Sequence, residues 1–361
     1  MNIVVRADSG IEIGTGHVMR CLTLAKALRD QGHSLIFICK EHDGNISSVI
    51  EKEGFRVFFL PLNEYVNDGL EHSKWLGGAQ RADAEETIAV SEQYFSSAID
   101  LLIVDHYGID TKWHSIVKAH SLESRIFVID DLADRAHSCD YLLDQTFMRQ
   151  ESDYSQLVPN RCQLLLGAQF TLLRAEFTDN RACAKEVRNL GINEQAKRVL
   201  VMLGGTDHLN VTEKVLRAIQ DEQTVERITV VLGSTAPHRT SIERTFGSDS
   251  RFALLSGVSN VAELMLAHDV CFGAAGTASW ERCAMGLPSI SVAFANNQRK
   301  ILSILNKSGA VYVFEPAEQP KSIIEKLNKV CEAETYGRMV ENCFKVSDGF
   351  GIQRVLGVLA Q

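Results

Sequence analysis

No run of basic residues occurs in this chain, no apolar stretch approaches the ~20 residues that span a bilayer, and no two cysteines stand in C-x-x-C spacing. Each absence excludes a class. With no basic tract and a formal net charge of −9, the chain is not built to neutralise the phosphates of a nucleic-acid strand. A small anion needs only local donors and stays open. Membrane insertion is not expected, and because Ile3–Val5 open a strand almost at once, the cytoplasm is the expected compartment. The nine cysteines (Cys21, Cys39, Cys139, Cys162, Cys183, Cys271, Cys283, Cys331, Cys343) are odd in number and scattered. They read as reduced, mostly buried thiols, not as a disulfide framework or a structural zinc site. No D-x-D triplet occurs either, so no metal bridge to a diphosphate is indicated, and no cofactor is expected.

What is present is an ordinary globular composition, 45% hydrophobic and 23% charged over 361 residues, comfortable for two domains. Apolar strand-like runs alternate with amphipathic helical segments, which predicts an α/β fold with parallel sheets. Strands are expected at 3–6, 34–39, 56–60, 101–105 and 126–129, with helices such as 17–30 and 112–120 between them. A second series is expected at 199–203, 228–232, 252–255, 270–272, 289–292 and 311–314. The polar stretch 174–198 reads as the linker. Domains are therefore expected at 1–175 and 176–361, both of the Rossmann-like strand–helix kind, with a ligand cleft between them.

Residues 1–21, MNIVVRADSGIEIGTGHVMRC, carry the strongest local signal. A short strand leads into a loop ending Gly14-Thr15-Gly16-His17, then a helical pattern with Val18, Leu22, Ala25 and Leu28 on one face. A strand, a glycine turn and a helix N-terminus make an anion site, because unpaired N–H groups point outward there. His17 either accepts a proton beside a bound phosphate or sugar, or merely caps the helix. The dinucleotide fingerprint is broken, since Met19 stands at its third glycine, which argues against NAD.

In open parallel sheets, functional residues gather beyond the carboxyl ends of the strands. Gly204-Gly205-Thr206-Asp207 lies there, able to cradle a phosphate or to make a plain tight turn. The segment 273–282, GAAGTASWER, again ends a strand and opens a helix, with small residues where a diphosphate fits. Glu281, about a turn inside, can accept bonds from two ribose hydroxyls or serve as a helix-dipole carboxylate. Asn296-Asn297-Gln298 offers amides for sugar hydroxyls or for N-capping. Asp105-His106-Tyr107-Gly108 follows its strand directly and is expected near His17, unless Asp105 caps the helix near 110. Asp130-Asp131-Leu132-Ala133-Asp134 spells a magnesium–diphosphate motif, but such sites pair two copies on facing helices. With one copy after a strand, a sugar-side loop is the expectation, with Arg135 and His137 nearby.

The segments RADSGIEIGTGHVMRC, VDHYGID, IDDLADRAHSCD, LLGAQFTLLRAEF, LGGTD and GAAGTASWERCAMGLPSI, in this order, resemble the nucleotide-sugar hydrolases of pseudaminic acid biosynthesis. The second half is similar, more remotely, to GT-B glycosyltransferases. The resemblance implies a GT-B fold, release of UDP from a UDP-linked 2,4-diacetamido-2,4,6-trideoxy-altropyranose, and no metal. It implies His17 as the catalytic group and Tyr107 as its partner. Substrate contacts are expected from Asp8, Gly14, Gly16, Asp105, His106, Arg174, Asn297 and Gln298. UDP contacts are expected from Gly204, Gly205, Thr206, Ala275, Gly276, Thr277, Ser279 and Glu281. One departure is Ala278, where the family often has the second of two threonines.

Such a reaction needs a base for water and donors for the departing UDP. A base on the sugar side predicts attack at the anomeric carbon with inversion. Two other classes stay open: a GT-B glycosyltransferase using a UDP-sugar donor, and a non-catalytic nucleotide-sugar-binding subunit. A monomer or weak oligomer is expected.

Overall fold

The computed structural model describes every residue except Leu122, Gly205, Thr206, Ser234, Thr235 and Gln361, and the side chains of Asn296 and Asn297. It divides into two compact units, one of residues 1–172 and 351–361, the other of residues 173–350.

The first unit holds seven parallel strands: β1 (Asn2–Ala7), β2 (Ser34–Lys40), β3 (Arg56–Leu60), β4 (Leu101–Asp105), β5 (Arg125–Ile129), β6 (Tyr141–Asp144) and β7 (Gln163–Leu166). Their order is β3-β2-β1-β4-β5-β6-β7, so chain direction through the sheet reverses between β1 and β4. Every residue of β4 is buried, as is all of β1 beyond Asn2, the pattern of central strands covered on both faces. The helix Gly16–Asp30 covers one face with Val18, Cys21, Leu22, Leu24, Ala25 and Leu28, all buried. It stops where Gly32 takes φ 85°, its N–H closing on the carbonyl of Arg29. Leu28 is fully buried, and its replacement by Ala would cost ~2–5 kcal/mol.

The second unit holds six parallel strands: β8 (Lys197–Met202), β9 (Val225–Val231), β10 (Phe252–Leu255), β11 (Val270–Ala274), β12 (Ser289–Val292) and β13 (Val311–Val313). Their order is β10-β9-β8-β11-β12-β13, with the reversal between β8 and β11. The two sheets have separate cores, one around Val5, Phe37, Ile103 and Phe127, the other around Val201, Val230, Phe272 and Ile290.

Three features differ from the sequence reading. The stretch 174–198 is no linker; it carries helices Ala175–Asp179 and Arg181–Asn189 inside the second unit. Its charge misleads because the arginines work indoors: Arg181 donates to the carbonyls of Ala284 and Ser347, Arg188 to those of His268 and Met265. These bonds satisfy carbonyls that helix ends leave unpaired. Residues 351–361, expected with the second domain, belong instead to the first unit, where Ile352, Val355 and Leu359 join the core of the first sheet. Finally, β6 and β7 extend the first sheet beyond the five strands expected.

Candidate active site

The polar residues of the first unit gather where its strand order reverses, at the carboxyl ends of β1 and β4. Parallel sheets bind ligands at such points, because adjacent connections leave in opposite directions and open a crevice. Gly14 adopts φ 82° in the loop after β1, a conformation costly for any residue with a Cβ, and Thr15 stands at the helix N-cap. His17 is therefore already inside the helix and caps nothing. Its Nδ1 lies 2.6 Å from Oδ1 of Asp105, the last residue of β4.

Asp105 is fully buried, and Arg20 binds it with two prongs, Nε to Oδ2 at 2.5 Å and Nη2 to Oδ1 at 2.6 Å. Burial by itself would raise this carboxyl, but Arg20 and then His17 outweigh it and hold Asp105 far below the ordinary carboxylate range. A carboxylate only accepts, so Nδ1 of His17 carries a proton, and in the neutral imidazole the lone pair is then on Nε2. Asp105 does not cap the next helix; Asp110 does, accepting from the backbone N–H of Lys112 at 2.7 Å.

Arg20 also reaches across to Oδ2 of Asp131 at 2.9 Å, and the hydroxyl of Tyr107 donates to Oδ1 of the same carboxylate. The Tyr107 ring stands edge-on to His17 with centroids 4.5 Å apart, stacks on Trp75 at 5.8 Å and lies 5.4 Å from His72. Burial first, and Asp131 after it, push the Tyr107 phenol well above its usual range, so it stays protonated.

Two expected substrate contacts are corrected. Asp8 is fully buried, clasped by Arg6 at 2.7 and 2.9 Å and by the backbone N–H of Lys40 at 2.7 Å. His106 is 3% exposed; Nδ1 accepts from the N–H of Gly108, and Nε2 lies 3.3 Å from Asp8. Both are buried and brace the loop from within. The D-D-x-x-D aspartates are likewise committed, Asp130 to Arg135 and the hydroxyl of Tyr154, Asp131 to Arg20 and Tyr107. Among the described residues no group of three or more His, Cys, Asp or Glu side chains is placed to hold a metal.

The second unit repeats the pattern, with its loops beyond β8 and β11 flanking its own reversal. Gly204 takes φ 97°, and Asp207 accepts from the N–H groups of Val211 and Thr212 to start the following helix. Gly205, Thr206 and the side chain of Asn297 lie outside the described residues. Beyond β11, Gly276 is half-buried and Thr277 exposed, whereas Ala275 and Ser279 are buried. Ser279 accepts from Arg282 at 3.1 Å, so its oxygen is already engaged. Gln298 accepts the N–H of Phe294 at 2.9 Å.

Sequence reading overlooked Arg282. Its guanidinium is 1% exposed and bonds neutral oxygens, those of Ser289, Ala274, Ser279 and Ser291, while Nη1 has no hydrogen-bond partner among the described residues. Gly273 makes room for it, because a Cβ there would sit 2.5 Å from Nη1. A buried cation without a carboxylate raises the potential of the loop above it. Glu281 is pushed upward by burial, with Arg174 pulling the other way from 3.3 Å; Arg174 is itself 2.8 Å from Glu176.

Two parallel α/β units, each with its polar loops at the reversal of its sheet, define a protein of the GT-B class. In agreement, MurG of Acinetobacter baumannii superposes with a TM-score of 0.67 at 12% identity, covering 99% of both chains. No model of a known protein family matches. The chain is 25% identical to the UDP-2,4-diacetamido-2,4,6-trideoxy-beta-L-altropyranose hydrolase of Campylobacter jejuni over 310 residues, 86% of this chain and 97% of that one. It is 20% identical to the spore coat polysaccharide biosynthesis protein SpsG of Bacillus subtilis, covering 99% and 98%. These likenesses support a GT-B-like fold and a relationship to the Campylobacter hydrolase. Among the described residues no helix is long and apolar enough to cross a membrane.

Proposed function

We propose that this protein hydrolyses a UDP-linked 2,4-diacetamido-2,4,6-trideoxy sugar to UDP and the free sugar, as a step toward pseudaminic acid. The observation that carries the reading is the buried bond between His17 and Asp105, which leaves Nε2 as a base at a ligand-binding position of the sheet. The Campylobacter relative supports the substrate class. In the reaction, Nε2 of His17 takes a proton from water as the water oxygen bonds to the anomeric carbon. The bond from that carbon to the diphosphate oxygen breaks, UDP leaves with the electron pair, and the configuration inverts. Gly204, Gly205, Thr206, Gly276 and Thr277 receive the diphosphate, Glu281 the ribose, and Arg282 supports the loop charge from beneath.

The test is the purified protein with UDP-sugar in ¹⁸O-water, followed by NMR and mass spectrometry. Free sugar carrying the label supports the reading. Label in UDP places attack at phosphorus and overturns the proposed geometry. Turnover that requires an added glycan or lipid acceptor identifies a glycosyltransferase, and binding without turnover a carrier subunit.

A further inference from the structure

Five side chains close a ring in the first unit: His17 on Asp105, Asp105 on Arg20, Arg20 on Asp131, Asp131 on Tyr107, and Tyr107 edge-on against His17. The sequence distances are long. Arg20 is 85 residues from Asp105 and 111 from Asp131, so only the fold brings these groups together. Arg20 is the hub, 5% exposed, with Nε, Nη1 and Nη2 all committed to the two carboxylates.

The direction of each hydrogen bond has a chemical consequence. Asp105 and Asp131 share one cation, and carboxylates accept only. The proton on Nδ1 of His17 therefore goes to Asp105, and the single hydroxyl proton of Tyr107 goes to Asp131. What remains for a ligand is the lone pair on Nε2 and the lone pairs on the phenolic oxygen. We infer that Arg20 is a positioning residue that sets both groups at once, holding the carboxylates that take those two protons so that His17 and Tyr107 face the substrate as acceptors only. Tyr107 then recognises a donor, an amide N–H or a hydroxyl, and does not protonate a leaving group. This inference rests on the hydrolytic reading for its kinetic test but not for its structural one.

Lysine cannot replace Arg20, because one ammonium lacks the planar fork that spans two carboxylates. The groups facing His17 are Asp105 from β4, Arg20 from its own helix, and Tyr107 and Asp131 from the loops after β4 and β5. His72 lies 5.4 Å from the Tyr107 ring, close enough to His17 to feel its charge, and the Arg135 guanidinium lies 5.6 Å over that ring. Of these, Arg20 places a cation 3.4 Å from Nδ1.

Two measurements test the inference. The first needs no substrate: long-range ¹⁵N–¹H spectra of the imidazoles, with His17 assigned by its loss in His17→Gln. His17 is expected in the Nδ1–H tautomer in the native chain and in a mixture of tautomers in Arg20→Lys. The Nε2–H tautomer in the native protein overturns the inference whatever the enzyme's reaction.

The second is steady-state kinetics. Arg20→Lys is expected to lower kcat by about tenfold or more with a smaller change in KM. Should Arg20→Lys fail to fold, Asp131→Asn at the more exposed end of the ring tests the Tyr107 half. It is expected to match the kcat loss of Tyr107→Phe, with no further loss in the double variant. Native kcat in the variant that folds would overturn the proposal. Absence of any turnover in the native protein would refute the hydrolytic reading and leave the tautomer result standing.

Discussion

Nδ1 of His17 stands 2.6 Å from Oδ1 of Asp105 because the strands leading to them, β1 and β4, are neighbours in parallel register, with Ala7 opposite Asp105. Strand β4 ends on the carboxylate itself. Strand β1 runs on through the glycine loop, and the helix that follows turns His17 back over the same strand end. The pairing is thus a property of sheet order, not of proximity in sequence, and it holds the imidazole in one orientation without help from a ligand.

Replacing His17 by Asn should reduce turnover by ~10²-fold or more while leaving UDP affinity nearly unchanged, since the side chain belongs to the sugar-side unit in the proposed mechanism. Turnover and UDP titration on the same folded preparation decide this. Near-native turnover would end the role of His17 as base.

Glu281→Ala should weaken UDP binding by ~1.5–3 kcal/mol, the range for losing hydrogen bonds to a charged group in a desolvated place. Arg174, 3.3 Å away, is the competing partner of this carboxylate. Calorimetry with UDP is the measurement. An unchanged dissociation constant would leave Glu281 with only its ion pair.

The strand pattern announced both parallel sheets, because buried β-runs alternating with amphipathic helices have few other solutions. His17, Asp105 and Tyr107 were legible as a group for the same reason: each stands at or just beyond the carboxyl end of a strand. Side-chain direction was not legible. Asp8 and His106 hold equally good positions in the sequence, yet they turn inward to Arg6 and to each other. Arg20 had a signal that went unused, since three residues after His17 is the same helix face. The spacing of Ile352, Val355 and Leu359 puts them on one helix face, but no local pattern says against which sheet that face packs.

Turnover should survive EDTA. Asp130 and Asp131, the carboxylates whose spelling suggests magnesium, are each bound to an arginine and a tyrosine hydroxyl, so a cation would have to displace those partners first. Assay after exhaustive chelation checks this. Activity lost in EDTA and restored by magnesium would reassign both residues as ligands.

Stability should fall as pH drops below about 6.5, the ordinary histidine value, and His114 should account for a measurable part of the fall. This side chain is fully buried; its Nδ1 accepts from the backbone N–H of Ser138 at 3.3 Å, and Nε2 has no partner among the described residues. Burial first, then the nearby His137, Arg135 and Lys118, hold its protonation well below the normal range. The sign follows from linkage. Above the unfolded value neither state binds the proton, and His114 adds no pH dependence. As pH falls past that value the unfolded chain takes up a proton that the folded chain refuses, so folding loses up to ~1.4 kcal/mol per pH unit until the folded value is reached. Urea denaturation of the native chain and of His114→Phe between pH 7.5 and 5 isolates the effect. Groups that do not act on His114, including the Asp144 carboxyl, which burial raises to about 6, behave alike in both proteins and cancel in the difference. The variant should be less stable at pH 7.5, having lost the acceptor for Ser138, and the gap should narrow steadily toward pH 5. Parallel curves would mean that His114 takes up its proton in the fold as readily as outside it.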